Sequence, residues 1–354
     1  MTILWINLAI VYSLSLLSRV LVIPKTIGAT LIKPNKAFVF IAVLSLVLIS
    51  GLRKNIGDTF AYLLTYRLVP EYNWDFILAQ KEQGFIFLQL FLHKFSANPQ
   101  ILIFTVALIT NVIIGIILYQ YSRFFELSLY VYITSGLYLV SMNGIRQFLA
   151  GAILFAGTKY IMDGSWKKYM LVVFLATTVH QSALILIPIY FIVRREAWTK
   201  TTLFLLFLAV VLAIGYNQFS GAFFEVIGDS TYGQYKDFQE GGANILRVMV
   251  QAAPLLPAYF GRKKLRELLP KSDYIVNLSL LGLVFMIIST QNWIFARFII
   301  YFGLYNLILI SWVVPLFAKQ YQKLIYYVIL VTYFIYFFYE SVISLGIIYK
   351  SDYL

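Results

Sequence analysis

Long apolar runs separated by short polar stretches recur along this 354-residue sequence. A bilayer core about 30 Å thick is crossed by roughly 20 apolar residues in a helix. The pattern predicts membrane spans near residues 3–22, 37–52, 99–119, 126–143, 146–162, 200–217, 244–260, 274–290, 294–316 and 324–345. The predicted fold class is therefore an all-α polytopic integral membrane protein, with a single transmembrane domain over residues 1–354.

Composition agrees with this class, because 61% of the residues are hydrophobic and only 12% are charged. The net charge of +13 is spread over short loops rather than collected in one patch, so nucleic acid is not an expected partner. Zero cysteines exclude disulfides, thiolate metal sites and a cysteine nucleophile. The first 18 residues lack a basic start and a cleavage site, and we interpret them as a retained span.

Basic loop residues set the predicted orientation, since Lys and Arg near span ends stay on the cytoplasmic side. The first loop contains no acid, and its basic residues place the amino terminus outside: Arg19, Lys25, Lys33 and Lys36. A single crossing by residues 169–193 would put two basic segments, 194–200 and 261–271, on the wrong side. A chain reversal near His180 corrects both. It predicts about twelve membrane-embedded segments and both termini outside.

Each arm of this predicted hairpin is about 18 Å long at 1.5 Å per residue, too short to cross a bilayer. Non-helical backbone at membrane depth is tolerated only inside protein or beside a watery cavity. We therefore predict that His180 faces a cavity open to the outside, with Ser182 as the N-cap of the returning helix. The alternative is a structural histidine buried between helices.

Polar residues at three other span ends are predicted to share the outer face with His180 and Gln181. They occur in SGLRKNIGDTFAY (50–62), SMNGIRQFLAG (141–151) and STQNWIFARFIIYF (289–302), and are Arg53, Asp58, Tyr62, Asn143, Arg146, Gln147, Gln291, Asn292 and Arg297. Guanidinium groups bind phosphate through paired donors, so three converging arginines indicate a diphosphate ligand. Snorkelling to lipid headgroups and an anion pore are the alternatives.

Two external loops complete the predicted architecture. Residues 53–98 form one, with an interfacial helix at 85–95, and Glu82 before it is either a general base or a helix N-terminal cap. The acidic loop 217–243 is a lid, an acceptor-binding surface or an inert segment. The sequence contains no nucleotide-binding or metal-binding motif, so no cofactor and no metal are expected.

At these motifs the sequence resembles the EpsG family of Wzy-like polysaccharide polymerases. The resemblance lies in GLRKNIGDTFAY (51–62), EQGF (82–85), NGIRQFLAGAI (143–153), KKYMLVVFLATTVHQSALIL (167–186) and ARFIIYF (296–302). It implies a glycosyltransferase of the inner, cytoplasmic membrane. This enzyme would join undecaprenyl-diphosphate-linked oligosaccharide repeat units at the external face, for O-antigen, capsule or exopolysaccharide, without metal or nucleotide.

The resemblance also implies roles for the candidate residues. Arg146, Arg297 and Arg53 would contact the diphosphate or charged sugar groups, and His180 would be the general base. If His180 is protonated it would bind phosphate instead, and Glu82 would be the base. The other polar candidates would bind substrate.

Membrane lipid and chain-length or export proteins are expected partners. The alternative functions are ligation of a finished lipid-linked glycan to another acceptor, and a non-catalytic flippase or transporter of lipid-linked sugars. For a transporter, charged residues along a path through the membrane would be expected.

Overall fold

The computed structural model describes residues 1–22, 33–216 and 241–354, and in these ranges all regular elements are helices. The amino-terminal half contains α1 (Thr2–Val20), α2 (Lys36–Gly51), α3 (Thr59–Leu68), α4 (Trp74–Ala79), α5 (Gln83–His93), α6 (Gln100–Tyr121), α7 (Phe125–Thr134), α8 (Leu137–Asn143), α9 (Ile145–Ala156) and α10 (Thr158–Asp163). The remainder contains α11 (Trp166–Val179), α12 (Leu186–Val193), α13 (Lys200–Ile214), α14 (Ile245–Ala252), α15 (Leu255–Phe260), α16 (Arg262–Leu268), α17 (Ser272–Ser289), α18 (Ile299–Val313) and α19 (Lys319–Phe338).

Two helices form the centre of the bundle, because every residue of α7 and of α18 is buried. A helix that is apolar on all sides packs on all sides, and α18 contacts α7, α9 and α17. Peripheral helices such as α13 and α19 instead expose large apolar side chains, as expected for surfaces that meet lipid. The described chain is thus an α-helical membrane bundle around α7 and α18.

Helix breaks decide how many segments are long enough to cross a membrane alone. Within the described residues, five helical segments pass by length and apolarity, and a sixth passes if a bent pair counts as one. The five are Thr2–Val20, Gln100–Tyr121, Ser272–Ser289, Trp293–Leu316 and Lys319–Ser344, and the pair is Phe125–Thr134 plus Leu137–Asn143. The predicted spans 146–162 and 244–260 are interrupted near Gly157 and Pro254. The structure supports a multi-pass α-helical protein, but not the predicted count of about twelve segments.

The chain reverses at His180, as predicted. The rings of Tyr169 on α11 and Tyr190 on α12 stack with centroids 5.2 Å apart, which places the two arms side by side. At the base of this hairpin, Gly164 lies against the Arg194 guanidinium. The Lys271 ammonium donates to the Met162 carbonyl nearby, at 2.7 Å. Basic residues therefore gather at the end of the bundle opposite His180.

The end of the bundle that carries His180 also holds both ends of the chain. The Trp5 ring lies 5.1 Å from that of Phe337, and the Lys54 N–H donates to the Lys350 carbonyl at 2.8 Å. The predicted loop 53–98 begins here and folds into α3, α4 and α5. The predicted interfacial helix corresponds to α5, which buries Phe85 against the bundle.

Two predicted loop features fall outside the described residues. Lys25 of the first loop is one. Most of the predicted external loop 217–243 is the other, since only its last residues, 241–243, are described. There the Ala243 N–H donates to the Ser289 carbonyl at 2.7 Å, which attaches this segment to the end of α17.

Candidate active site

The turn of the hairpin fixes the position of His180. Helix α11 ends at Val179, His180 is extended with φ −151° and ψ 119°, and a 3₁₀ turn over Gln181–Ile185 follows. The Ser182 hydroxyl lies 2.8 Å from His180 Nδ1 and 2.5 Å from the Tyr301 hydroxyl of α18. The prediction that Ser182 caps the returning helix is wrong, because the extended backbone makes His180 the cap of the 3₁₀ turn and α12 starts at Leu186 without a side-chain cap.

Glu82 links the hairpin to the neighbouring helices. Its Oε2 accepts from Arg146 Nη1 at 2.8 Å, its Oε1 accepts from the Gln181 N–H at 3.0 Å, and Oε1 is 3.6 Å from His180 Nδ1. Helix α5 can come this close to α11 because Gly84 has no β-carbon; an added one would stand 2.3 Å from Thr178 Oγ1. Glu82 is the N-cap residue of α5 by position, but its side chain makes no capping bond and points to the cluster instead.

Arg146, at the start of α9, is more accessible than Glu82 and His180. Its side chain is 40% exposed while the Glu82 side chain is 11% exposed. The guanidinium lies about 6 Å from the ring centres of Tyr62 and Phe85, which flank it. Burial raises the pKa of the Tyr62 phenol, although the nearby Arg146 opposes the shift, so Tyr62 stays neutral. Arg146 can thus meet a ligand while Glu82 holds it.

Gln147 connects the hairpin to the segment that carries Arg297. Its Nε2 donates to the Arg297 carbonyl at 3.0 Å and reaches Ser182 Oγ at 3.4 Å. The Arg297 guanidinium lies over the Trp293 ring, 4.8 Å from its centre. The structure therefore brings Arg146, one carboxylate and one imidazole together at one end of the bundle, and it sets the Arg297 backbone beside Gln147.

Arg53 lies apart from this cluster and is 1% exposed. It is held by the Ser50 carbonyl, by Thr59 Oγ1 at 3.1 Å and by the Met142 carbonyl at 2.6 Å. Burial lowers the pKa of Arg53 to about 10, which leaves the guanidinium charged near neutrality. These contacts place Arg53 as an internal support rather than beside a ligand.

The Asp58 and Asn143 pair also braces the backbone. The Asp58 N–H donates to Asn143 Oδ1 at 2.9 Å. Gly57, with φ +53°, lets the Asn143 side chain pass where a β-carbon would clash. The pair therefore fixes the start of α3 against the end of α8. The Asp58 carboxylate acts electrostatically on Arg146, so it belongs to the surroundings of the cluster.

Gln291 and Asn292 lie at the end of α17. Asn292 accepts from the Ile294 N–H and donates to the Tyr216 hydroxyl, both at 3.0 Å, so it caps the turn that leads to Arg297. Gln291 is exposed, and its amide reaches Thr290 Oγ1 at 3.5 Å. In the described parts of the chain, no hydrogen bond joins these two residues to the His180 cluster.

Two polar features escaped the sequence analysis. Tyr301 contacts Ser182 but looks like one more aromatic residue of an apolar span. Arg247 and Glu340 form an ion pair, with Arg247 Nε and Glu340 Oε1 2.8 Å apart, although they are 93 residues apart in the chain. The sequence did contain a signal for this ion pair, because Arg247 and Glu340 are each an isolated charged residue in an apolar helix. Within residues 1–22, 33–216 and 241–354, no three His, Cys, Asp or Glu residues cluster as metal ligands.

The fold and this cluster define a multi-pass α-helical membrane protein with an arginine, histidine and carboxylate site at one end of its bundle. The chain belongs to the EpsG family, whose family model matches residues 36–351. EpsG is a family of Wzy-like polymerases, which implies a glycosyltransferase-type polymerase role in polysaccharide biosynthesis. Comparison with curated proteins and with solved structures gives no match.

Proposed function

We propose that the protein polymerises oligosaccharide repeat units carried on undecaprenyl diphosphate, at the external face of the cytoplasmic membrane. The observation that carries this proposal is the Arg146–Glu82 ion pair beside His180 at one end of the bundle, next to the segment that carries Arg297. The orientation is supported by the basic residues at the opposite end, including Arg194 and Lys271, since basic ends stay in the cytoplasm.

In the proposed reaction, a sugar hydroxyl oxygen of the acceptor attacks the anomeric carbon of the donor sugar. The bond from that carbon to the diphosphate oxygen breaks, and undecaprenyl diphosphate leaves with the bonding electron pair. Arg146 and Arg297 stabilise the negative charge that develops on the departing phosphate. The proton of the attacking hydroxyl goes to a general base. No nucleotide enters these steps.

His180 is the proposed general base. In the described residues, hydrogen bonds reach its Nδ1 and leave Nε2 for the substrate hydroxyl. Nε2 can accept a proton only if Nδ1 carries the ring hydrogen and donates it to Ser182 Oγ at 2.8 Å, in place of accepting from the Ser182 N–H at 3.4 Å. Glu82 has both oxygens engaged, one by Arg146 and the other by the Gln181 N–H. We assign Glu82 to orienting Arg146 and the hairpin turn.

The remaining candidates receive supporting roles. Tyr62 and Gln147 bind or orient substrate at the rim of the cluster, beside Arg146 and Ser182. Arg53, Asp58 and Asn143 hold the backbone on which the cluster stands. Gln291 and Asn292 shape the turn before Arg297. Membrane lipid surrounds the protein, and chain-length or export proteins are proposed partners.

The test is glycan chain length in cells that lack the native gene and express one variant each, at matched membrane levels. We expect wild type to restore long polymer, and His180→Ala, Arg146→Ala and Arg297→Ala to leave single repeat units. His93→Ala is the matched control, because His93 is the other histidine and lies at the far end of α5. Normal polymer in the His180 and arginine variants would refute the site.

Two other results would replace the proposed activity. Loss of lipid-linked repeat units from the outer leaflet, measured by external labelling, would indicate a flippase. Loss of glycan transfer to a non-lipid acceptor, with polymer length unchanged, would indicate a ligase. Turnover of purified lipid-linked repeat units into polymer by the purified wild type would exclude both replacements.

A further inference from the structure

A cavity lies next to the segments that carry Asn143 and Arg297. It has a volume of about 380 Å³ and lies between α7, α8, α14, α18 and the segment after α19. It is lined by Gly57 and Asn143, which brace the start of α3 against α8, and by Ala296, the neighbour of Arg297. Its volume falls in the range of about 300–1,000 Å³ that is usual for ligand pockets. The cavity is therefore large enough for a part of the substrate and close enough to receive it.

A helix break opens this cavity. Helices α7 and α8 are bent by 56° at Ser135 and Gly136, and Gly136 has φ +87°. Both residues line the cavity, and so do several residues of α8 that follow them. Non-helical backbone at membrane depth is stable where it is buried in protein or faces a watery space. The bend therefore places this backbone against the cavity and the surrounding protein rather than against lipid.

The buried charges around the cavity point the same way. Glu340 is 4% exposed and pairs with Arg247. Arg247 also lines the cavity, and its side chain is 32% exposed. A hydroxyl-rich ligand would accept hydrogen bonds from this guanidinium, whereas a hydrocarbon chain would not.

The rest of the lining suits the apolar faces of sugar rings. Tyr333 and Tyr336 line one side, and aliphatic residues such as Ile299 and Leu307 line another. Ligand pockets commonly combine such apolar walls with a few placed polar groups. We propose that this cavity binds sugar rings of the lipid-linked glycan next to the reacting bond. The inference rests on the proposed function and names where its glycan is held.

Val140 offers a way to fill the cavity without disturbing packed neighbours, because it lines the space and is 40% exposed. Val140→Phe is compared with Val328→Phe, a matched control on α19 that is 45% exposed and not among the lining residues. The purified variants are placed in lipid nanodiscs. Two probes are used: the free repeat-unit oligosaccharide released from its lipid, and undecaprenyl phosphate. Binding is measured by saturation-transfer NMR and by calorimetry.

We expect Val140→Phe to weaken binding of the free oligosaccharide at least tenfold and to leave undecaprenyl phosphate unaffected. Val328→Phe should bind both like wild type. The KM of Val140→Phe is then measured separately for single lipid-linked units and for preformed longer chains. A rise in the KM for only one of these substrates identifies whether the glycan in the cavity is the donor or the acceptor. A thermal melt checks whether Val140→Phe is folded. If Val140→Phe does not fold, Ser341→Val replaces it as a smaller change in the lining of the cavity.

Unchanged oligosaccharide binding by the folded Val140→Phe variant would overturn the inference, and so would a loss confined to undecaprenyl phosphate, which would make the cavity a lipid-chain site. Failure of the proposed function gives a different result from failure of the cavity proposal, because wild type itself would then make no polymer from lipid-linked units. Polymerisation by wild type together with wild-type behaviour of Val140→Phe would reject only the cavity.

Discussion

The contact between Tyr301 and Ser182 leads to a sharp prediction about His180. Ser182 Oγ is contacted by His180 Nδ1 at 2.8 Å, by the Tyr301 hydroxyl at 2.5 Å and by Gln147 Nε2 at 3.4 Å. A serine hydroxyl has one donor and two acceptor positions. If His180 and Gln147 both donate, the Ser182 hydrogen must go to Tyr301. Tyr301 would then keep His180 in the form whose Nε2 is free to accept a proton.

Tyr301→Phe removes the acceptor for that hydrogen. The Ser182 hydroxyl can then turn and donate to His180 Nδ1, which moves the ring hydrogen to Nε2 and blocks the base. Loss of one such hydrogen bond shifts the balance between the two forms by about 0.5–1.5 kcal/mol. We therefore expect kcat to fall roughly 2–12-fold, with KM unchanged, since each 1.4 kcal/mol is about tenfold. The assay is initial-rate polymerisation of purified lipid-linked repeat units.

Tyr305→Phe is the matched control, because Tyr305 is also buried on α18, one helical turn further on, and its hydroxyl contacts Thr158. It should change kcat less than twofold. Whether Tyr301 acts on His180 through Ser182 is tested in a Ser182→Ala background. There Tyr301→Phe should have little further effect, because the two residues act together. Equal losses with and without Ser182, or a loss in Tyr305→Phe as large as in Tyr301→Phe, would refute the reasoning.

Three further changes test the supports of the site. Glu82→Gln should lower kcat by about 10–100-fold and less than His180→Ala, since a general base is worth about 10²–10⁴-fold; a loss larger than that of His180→Ala in the same rate assay would make Glu82 the base. Arg53→Met should lower stability by about 2–3 kcal/mol, because hydrogen bonds to a buried charge are lost. Its melting temperature in detergent should fall and the kcat of folded protein should stay near wild type, whereas an unchanged melt with lost turnover would indicate contact with substrate. Gly84→Ala should reduce activity more than stability, because its β-carbon would push α5 from Thr178 and displace Glu82; wild-type turnover in this variant would contradict that packing.

The course of the helices and the hairpin could be predicted because apolar length and loop charge are local properties. The reversal at His180 followed from charges at the two ends of residues 169–193, and Tyr169 stacked on Tyr190 confirms it. The number of complete spans could not be predicted in this way. Breaks at Gly136 and Pro254 depend on which neighbours satisfy the freed backbone, and that is a property of the whole bundle.

The candidate site could likewise be predicted only in part from the sequence. Arg146 and Arg297 stood out as charges at span ends, and Glu82 as the acid before an interfacial helix. The structure joins Arg146 and Glu82 beside His180 and sets the Arg297 backbone against Gln147. Arg53 stood out equally, but its partners are backbone carbonyls of its own and a neighbouring segment, which spacing alone does not show. Tyr301 was missed because its hydroxyl matters only through contact with a residue 119 positions away.

The short hairpin also has a consequence for how the protein is made. Helix α11 has 14 residues and the returning α12 has 8, so each is shorter than the roughly 20 residues that span a bilayer. Lys167, Lys168, Arg194 and Arg195 lie at its base, and basic residues resist transfer across the membrane. We expect the ribosome-bound chain to insert this hairpin only after α9 is in place to receive it, with α17 and α18 closing over it later. The active site would then be complete only after α18 is made, and a chain truncated before α17 would carry His180 without Arg297 or Tyr301.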